Sequence, residues 1–481
     1  MDSFDLLVVG GGINGCAIAR DASIRGARVL LVEKDDLAAH TSSASSKLIH
    51  GGLRYLELGQ LRLVRESLAE REILLKTAPH IVRPLRFVLP HCPGMRPHWM
   101  IRLGLLLYDA LAFRGSLPRS RRVGRREPML QAPLTERRRL LSYWDAWVDD
   151  SRLTVLNAVA AAEHGAEIAT RTELLAARRD GGRWTADLSG DRRVSAGAIV
   201  NAGGPWVTDV LARLGEPTRS GVRLVKGSHI VVPRLWEGDQ AYILQQADRR
   251  VVFALPFQED LTLIGTTDIE VARPEDAAIA GDEVRYLCEA ADRYFTRQVV
   301  PADVLWSYSG VRALHDDGHR SARTVTRDYA LELSDSPGAK LLSVFGGKIT
   351  TARALAQHAL DRLGVDGRRS TGWMMLPGGD LYPAFVDWLR GLTAWMPLLM
   401  VERMSKAYGT RLKELLGEAS GLDALGRHFG GGLYEAEVRW LVDREFAQTA
   451  EDVLWRRTKL GLRFTPPQVA ALERFLASGQ R

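Results

Sequence analysis

Short apolar runs that end in glycine-rich turns open this 481-residue chain and recur twice later. Residues 4–9, Phe-Asp-Leu-Leu-Val-Val, read as a buried strand that leads into Gly10-Gly-Gly-Ile-Asn-Gly15. Residues 13–25 have helical character up to Gly26, which suits a helix end, and residues 27–33 form a second apolar run. The pattern predicts a strand, a tight loop, a helix and a second strand.

This loop has the spacing G-x-G-x-x-G, which is typical of a dinucleotide-binding βαβ unit. Gly10 permits the tight turn, Gly12 lets the backbone approach a pyrophosphate, and Gly15 lets the helix pack closely on the strand. Glu33 ends the second strand, where a carboxylate accepts hydrogen bonds from an adenosine ribose. A dinucleotide site is therefore predicted at this loop.

Two later segments decide between NAD and FAD. Residues 196–206 form a strand that ends in a turn at Gly203, and residues 341–351 form another strand that ends at Gly346 and Gly347. A one-domain NAD fold would be complete long before either segment, whereas an FAD site assembled from three separated pieces of chain accounts for both. The last glycine pair opens a helix N-terminus towards the flavin pyrimidine ring, where negative charge develops on reduction.

The most apolar interior stretch, residues 99–113, is interrupted by Arg102 and Asp109 and is too short for a spanning helix, which needs about 20 mostly apolar residues. Such a segment can lie in a membrane interface, with nearby arginines on anionic headgroups. A core helix followed by an ordinary basic loop is the alternative. The arginines that follow it are Arg114, Arg119, Arg121, Arg122, Arg125 and Arg126.

The composition adds a positive charge and few cysteines. Lys and Arg number 65 against 58 Asp and Glu, a net charge of +7, which favours anionic partners such as phosphorylated substrates, acidic lipid or nucleic acid. Cys16, Cys92 and Cys288 are widely spaced and indicate neither a disulfide framework nor a metal site, so a reducing cytoplasm fits best. The length predicts two or three domains that share one site.

A specific run of residues 41–57, Thr-Ser-Ser-Ala-Ser-Ser-Lys-Leu-Ile-His-Gly-Gly-Leu-Arg-Tyr-Leu-Glu, resembles the bacterial aerobic, FAD-dependent glycerol-3-phosphate dehydrogenases. The resemblance covers essentially the whole chain, although residues 378–418 match loosely. Further matching runs lie at residues 147–153, 223–233, 264–268, 308–312, 342–350 and 454–459.

The resemblance implies a fold of mixed α/β and α+β class. It consists of a Rossmann-like FAD-binding domain, a substrate domain built on an antiparallel sheet, and a C-terminal helical domain. Apolar positions at helical spacing in residues 433–446 agree with the last of these. The expected segments are FAD-binding at 1–75, 150–222 and 340–375, a cap and membrane-facing part at 76–149, the substrate domain at 223–339, and the helical domain at 380–481.

A phosphate monoester needs guanidinium or ammonium groups aimed into a cleft, and alcohol oxidation needs a base near the reacting carbon. The expected catalytic residues are His50, His229 and Arg312, and which histidine takes the proton stays open. The expected substrate-binding residues are Arg54, Tyr55, Arg312 and Lys348. The expected FAD-binding residues are Gly10, Gly12, Gly15, Glu33, Thr41, Ser42, Ser46, Gly203, Gly346, Gly347, Lys348 and Thr350, and no metal is expected.

The resemblance implies oxidation of sn-glycerol 3-phosphate to dihydroxyacetone phosphate, with electrons passing to ubiquinone or menaquinone. It implies a cytoplasmic protein attached peripherally to the inner face of the cell membrane, with an anionic membrane surface as partner, and it allows a homodimer. Two rivals stay open. One is an oxygen-using, amino-acid-oxidase-like flavoenzyme, and the other is an RNA-binding flavoprotein, although the arginine-rich segment lacks the aromatic platform of a nucleic-acid site.

Overall fold

The computed structural model describes residues 1–92, 96–112, 115–136, 138–217, 220–248, 250–316, 329–334 and 337–479. Twenty strands lie in this part of the chain. In chain order they are β1 (Asp2–Val9), β2 (Val29–Val32), β3 (Leu48–Ile49), β4 (Val82–Pro90), β5 (Arg121–Arg122), β6 (Leu140–Val148), β7 (Glu167–Ala169), β8 (Leu174–Asp180), β9 (Arg183–Leu188), β10 (Arg192–Asn201), β11 (Gly221–Pro233), β12 (Ala241–Gln245), β13 (Val251–Phe257), β14 (Leu261–Gly265), β15 (Ile269–Glu270), β16 (Trp306–Asp316), β17 (Ala330–Leu333), β18 (Lys340–Phe345), β19 (His428–Gly430) and β20 (Leu433–Tyr434).

The same described ranges contain thirteen α-helices and a π-helical turn at Asp452–Arg457. The helices are α1 (Ile13–Ile24), α2 (Arg54–Glu57), α3 (Leu61–Thr77), α4 (His98–Leu111), α5 (Asp150–Glu163), α6 (Val207–Arg213), α7 (Gly281–Asp292), α8 (Ala352–Leu363), α9 (Phe385–Leu392), α10 (Leu398–Tyr408), α11 (Leu412–Leu416), α12 (Glu435–Glu445) and α13 (Pro466–Ala477).

The first sheet is a Rossmann-like layer with five parallel strands in the order β18-β10-β1-β2-β7. Helices α1, α5 and α8 cover one face with a shared apolar core, and α6 packs on the other. Val9 pairs with Asn201, which in turn pairs with Ser343. Because parallel strands end at the same edge, the turns after β1, β10 and β18 lie side by side. The strands and helix predicted around the three glycine turns are confirmed.

The second sheet has ten strands, of which eight follow the order β15-β11-β14-β13-β12-β4-β6-β3, with β16 paired to β11 and β5 to β6. Its pairs are antiparallel except β12 with β4, which run parallel. Helix α7 closes a core against this sheet. The antiparallel sheet expected for the substrate domain is confirmed with that one exception.

Helices α9 to α13 form the C-terminal region around a core of their own, and the helix predicted in residues 433–446 is confirmed as α12. Buried charges tie this region to the first sheet. Asp36, which follows β2, accepts hydrogen bonds from Arg456 Nε at 2.6 Å and from both terminal nitrogens of Arg457 at 2.8 Å. Since removing one partner of a buried pair leaves an uncompensated charge, these contacts fix the loop after β2 against the C-terminal region.

Candidate functional site

The turn after β1 brings the backbone to an open edge of the first sheet. Gly10 has φ +114°, and a Cβ there would lie 2.5 Å from the carbonyl oxygen of Ala202, so a side chain cannot be accommodated. A Cβ at Gly15 would lie 1.9 Å from the Gly10 carbonyl oxygen. The helix therefore packs tightly on the loop, as its sequence predicted, and α1 begins directly behind it at Ile13.

Glu33 is buried at the end of β2 and already supports the glycine loop. Its carboxylate accepts a hydrogen bond of 2.6 Å from the Gly11 backbone N–H and one of 2.9 Å from the Asp35 N–H. Burial raises the pKa of Glu33 above its ordinary value, and the two backbone donors oppose that shift. Glu33 thus lines the cavity and orders the loop at the same time.

The loop that follows β2 folds over the start of α1. Ser42 Oγ accepts a hydrogen bond of 2.9 Å from the Ile13 N–H, and Thr41 Oγ1 donates to the Val311 carbonyl at 2.7 Å. A buried ion pair of 2.7 Å between Lys47 and Asp150 holds the far end of this loop. The loop therefore bridges the two sheets.

The third glycine turn, after β18, joins the first. Asn14 Nδ2 donates to the Gly346 carbonyl at 3.2 Å, while its buried Oδ1 has no hydrogen-bond partner within the described ranges. Thr350 is buried one turn later, and its Oγ1 accepts a hydrogen bond of 3.4 Å from the His50 N–H. The motif assigns Asn14 no role, although it stands inside the first glycine loop.

His229 lies on β11 at the second sheet and faces this loop. Its Nε2 is 2.9 Å from Ser46 Oγ, its ring stacks on Tyr308 at 4.8 Å between centroids, and its Nδ1 has no hydrogen-bond partner among the residues described. Burial, followed by the charges of Arg312 and Lys47, lowers the pKa of His229 well below its ordinary value. His229 is therefore a neutral ring at neutral pH.

Two of the predicted cationic residues line the same cavity, Arg312 on β16 and Lys348 in the turn after β18. Lys348 Nζ lies 4.8 Å from the centre of the Tyr55 ring, and Tyr55 also lines the cavity. Arg54, the first residue of α2, is not among the lining residues. The structure thus brings together three of the four predicted substrate-binding side chains.

One continuous cavity runs from Glu33 to His229 and Arg312. Of the predicted site residues, Gly15 and Arg54 lie outside its lining, Gly15 because it packs beneath the loop. Phe253 and Thr266 line it without having been predicted. The predicted residues that line the cavity are Gly10, Gly12, Glu33, Thr41, Ser42, Ser46, His50, Tyr55, Gly203, His229, Arg312, Gly346, Gly347, Lys348 and Thr350.

The cavity fits FAD in its chemistry. Three successive glycines, Gly10 to Gly12, leave the backbone of the first loop open to a pyrophosphate, and the Glu33 carboxylate lies beside them where a ribose could bind. The Oδ1 of Asn14 is an acceptor without a partner among the described residues. At the other end lie a neutral histidine and two cationic side chains, which suit an anionic substrate. The role of each individual residue stays a prediction.

Comparison with known proteins agrees with this geometry. The family model described as "FAD dependent oxidoreductase" matches residues 5–362, and the model "C-terminal domain of alpha-glycerophosphate oxidase" matches residues 369–477. The glycerol-3-phosphate dehydrogenase of Pseudomonas aeruginosa is 50% identical over 99% of this chain and 95% of its own. The D-erythritol 1-phosphate dehydrogenase of Brucella abortus is also 50% identical, over 98% and 97%.

A third relative, the aerobic glycerol-3-phosphate dehydrogenase of Escherichia coli, is 46% identical over 99% of this chain and 98% of its own. Among solved structures, the Bacillus halodurans glycerol-3-phosphate dehydrogenase complexed with FAD matches with a TM-score of 0.77 and 26% identity, covering 99% of this chain and 90% of that one. The chain therefore belongs to the FAD-dependent oxidoreductases of the bacterial glycerol-3-phosphate dehydrogenase family, and its cofactor is FAD.

Proposed function

We propose that the protein oxidises sn-glycerol 3-phosphate to dihydroxyacetone phosphate and passes the electrons to a membrane quinone, ubiquinone or menaquinone. The observation that carries this proposal is a single cavity in which the glycine loops adjoin Arg312, Lys348 and a neutral His229. Relatives named glycerol-3-phosphate dehydrogenase support the same substrate.

In this proposal the phosphate binds to Arg312 and Lys348, which supply opposite charge and N–H donors. FAD, when bound, would supply the two-electron acceptor for oxidation of the carbinol carbon. His229 accepts the hydroxyl proton in this proposal, because it lines the cavity as a neutral imidazole and its Nδ1 has no hydrogen-bond partner among the described residues. His50 is the second candidate, since it lines the same cavity.

Anaerobic mixing of the FAD-loaded protein with glycerol 3-phosphate tests the proposal. The absorbance of oxidised flavin should bleach within the turnover time, and addition of a short-chain quinone should restore it. Absence of bleaching would reject the substrate. Rapid reoxidation by oxygen with formation of peroxide, and slow reoxidation by quinone, would instead favour the oxidase alternative.

D-Erythritol 1-phosphate is a second candidate substrate, because the relative named for it is as similar as the relative named for glycerol 3-phosphate. Both molecules are polyol phosphates, so the same cations would hold either phosphate. Comparing the rate constant and half-saturation concentration of flavin bleaching for the two substrates decides between them. A higher ratio of rate constant to half-saturation concentration with erythritol 1-phosphate would replace the first assignment.

We further propose that α4 attaches the protein peripherally to the inner face of the cell membrane. No helix in the described part of the chain is long and apolar enough to cross a membrane. One side of α4 is buried through Ile101, Leu105 and Tyr108, whereas apolar side chains on the other side remain in solvent. They are Trp99, Met100, Leu103, Leu106 and Leu107, with exposed fractions of 68%, 37%, 59%, 47% and 40%.

An apolar helix face of this kind, beside a basic loop, is typical of interfacial attachment to anionic lipid. Arg121 is paired with Glu127, to which it donates bonds of 2.7 and 2.9 Å and which also pairs with Arg86. Four other arginines of the segment are exposed and form no ion pair with a described residue: Arg119, Arg122, Arg125 and Arg126. Phe113 and Arg114, which the sequence assigns to this segment, lie outside the described residues.

A further inference from the structure

The turn that follows β14, Thr266-Thr267-Asp268, lies between the cavity and α7. It belongs to the run of residues 264–268 that resembles the family, but neither the sequence nor the proposed reaction assigns it a role. Two of its side chains contact Arg312. The turn is therefore placed to act on the substrate-binding end of the site.

Three neighbours confine the Arg312 guanidinium. Its Nη1 donates to Asp268 Oδ1 in a close ion pair, and its Nη2 donates to Thr266 Oγ1 at 3.3 Å. On the adjacent strand, a Cβ at Gly227 would stand 2.5 Å from Nη2, so a side chain there would displace the guanidinium from this position. The ion pair is only partly exposed, with 25% of the Arg312 side chain and 18% of the Asp268 side chain in solvent.

The turn is itself anchored from behind by Glu283 at the start of α7. Glu283 Oε1 accepts hydrogen bonds from Thr267 Oγ1 at 2.7 Å and from Ser228 Oγ at 2.8 Å, and Oε2 forms an ion pair of 2.8 Å with Lys226. Glu283 is 3% exposed. Because the carboxylate is buried and fully engaged, it fixes the turn rather than responding to solvent.

We infer that Asp268 is a positioning residue that aims the Arg312 guanidinium at the phosphate of the substrate. This inference rests on the proposed function. A guanidinium has five N–H donors in a rigid fork, and the contacts described use one donor on each terminal nitrogen. The fork is then oriented before the substrate arrives, which lowers the entropic cost of binding an anion.

The opposite effect of this ion pair would be to weaken phosphate binding, since a carboxylate competes with phosphate for the guanidinium. The two effects predict opposite signs when the carboxylate is removed. Positioning predicts weaker binding of phosphate by an Asp268→Ala variant, whereas competition predicts tighter binding. The orienting effect should prevail because Thr266 and Gly227 confine only the Nη2 side of the guanidinium, which leaves Asp268 to hold Nη1 and so to set the direction of the fork.

The test compares Asp268→Ala and Asp268→Asn with the wild type, all loaded with FAD. Asp187→Ala is the matched control, because Asp187 also pairs with an arginine, Arg193, but lies on β9 outside the cavity. For Asp268→Ala, the half-saturation concentration of substrate in flavin bleaching should rise about ten- to a hundredfold. The bleaching rate at saturation, the flavin content and the Tm should stay close to wild type. Asp268→Asn keeps a hydrogen-bond acceptor and should be milder.

A double-mutant cycle separates positioning from a general structural effect. If Asp268 acts through Arg312, then Asp268→Ala should add little to an Arg312→Ala variant, although it weakens binding in the wild-type background. Additive effects, an unchanged half-saturation concentration in Asp268→Ala, or tighter binding would each overturn the inference.

Calorimetric titration with inorganic phosphate makes the test independent of turnover. Wild type should bind phosphate more tightly than Asp268→Ala, and Asp187→Ala should match wild type. If wild type binds phosphate in this way but neither polyol phosphate bleaches the flavin, the proposed function fails while the role of Asp268 stands. If the substrates bleach the flavin but phosphate binds equally to wild type and Asp268→Ala, the role of Asp268 fails alone.

Discussion

Replacing Leu103 and Leu106 by glutamine removes two of the apolar side chains that α4 presents to solvent. Their exposed fractions are 59% and 47%. Full burial of a leucine side chain is worth about 1.5–3 kcal/mol. Weighted by the exposed fractions, the pair would contribute about 1.6–3.2 kcal/mol to attachment, so the double variant should bind vesicles about 15- to 200-fold more weakly.

Co-sedimentation of the FAD-loaded protein with vesicles of phosphatidylglycerol and phosphatidylcholine measures this change. Leu175→Gln is the control, since Leu175 is 50% exposed on β8, away from α4. Reduction of a soluble dye should be unchanged in the Leu103→Gln, Leu106→Gln variant, whereas reduction of a long-chain quinone in vesicles should fall with binding. Equal sedimentation of this variant and wild type would refute the membrane role of α4.

Salt separates the contribution of the arginines from that of the apolar face. Each exposed arginine near an anionic surface contributes on the order of 1 kcal/mol, and added salt screens this attraction. A variant with Arg119, Arg122, Arg125 and Arg126 changed to glutamine should lose the salt-dependent part of binding and keep the rest. Arg121 is left in place because it is already engaged in an ion pair with Glu127.

Three further predictions concern the cavity. Arg312→Lys keeps the charge but loses the forked guanidinium, so the KM for the phosphorylated substrate should rise. Unchanged KM and kcat would show that Arg312 does not bind the substrate phosphate through this fork. Glu33→Ala removes acceptors for the Gly11 and Asp35 N–H groups and for the ribose, so FAD affinity should fall about tenfold or more, and full flavin retention after dialysis would contradict this. Because the pKa of His229 is lowered, the ring should become protonated, and the rate of flavin bleaching should fall, only below about pH 6.5. A fall in that rate at about pH 7 or above would show that another group is titrating.

The sequence by itself determined the elements whose signals are contiguous. Residues 4–33 contain a strand, the glycine loop, a helix and Glu33 within one βαβ unit, and the positive φ of Gly10 and the contact of Gly15 with the Gly10 carbonyl belong to this local path. The turns at Gly203 and Gly346 were predictable for the same reason. Local chain geometry is fixed by neighbours a few residues away, and the sequence displays those neighbours directly.

Tertiary structure alone decided which distant side chains share the cavity. Arg312 and Asp268 are 44 residues apart and meet because β16 and the turn after β14 flank the same strand, β11. Arg54 carries the same charge in an equally glycine-rich run, yet it lies outside the cavity lining. A sequence cannot distinguish these cases, because the pairing of strands depends on the packing of the whole sheet.

The sequence of α4 likewise does not show which of its two faces is buried. Apart from His98, Arg102 and Asp109 its sequence is almost entirely apolar, so periodicity could not say which of the apolar side chains would be buried and which would be left in solvent. Tyr108 decides the orientation, because its hydroxyl donates to buried Asp145 and accepts from the Gly51 N–H. Asp145 and Gly51 lie in other elements of the fold. Their polar groups are buried and need hydrogen-bond partners, which the Tyr108 hydroxyl supplies. The exposed apolar face of α4 is therefore a consequence of tertiary packing.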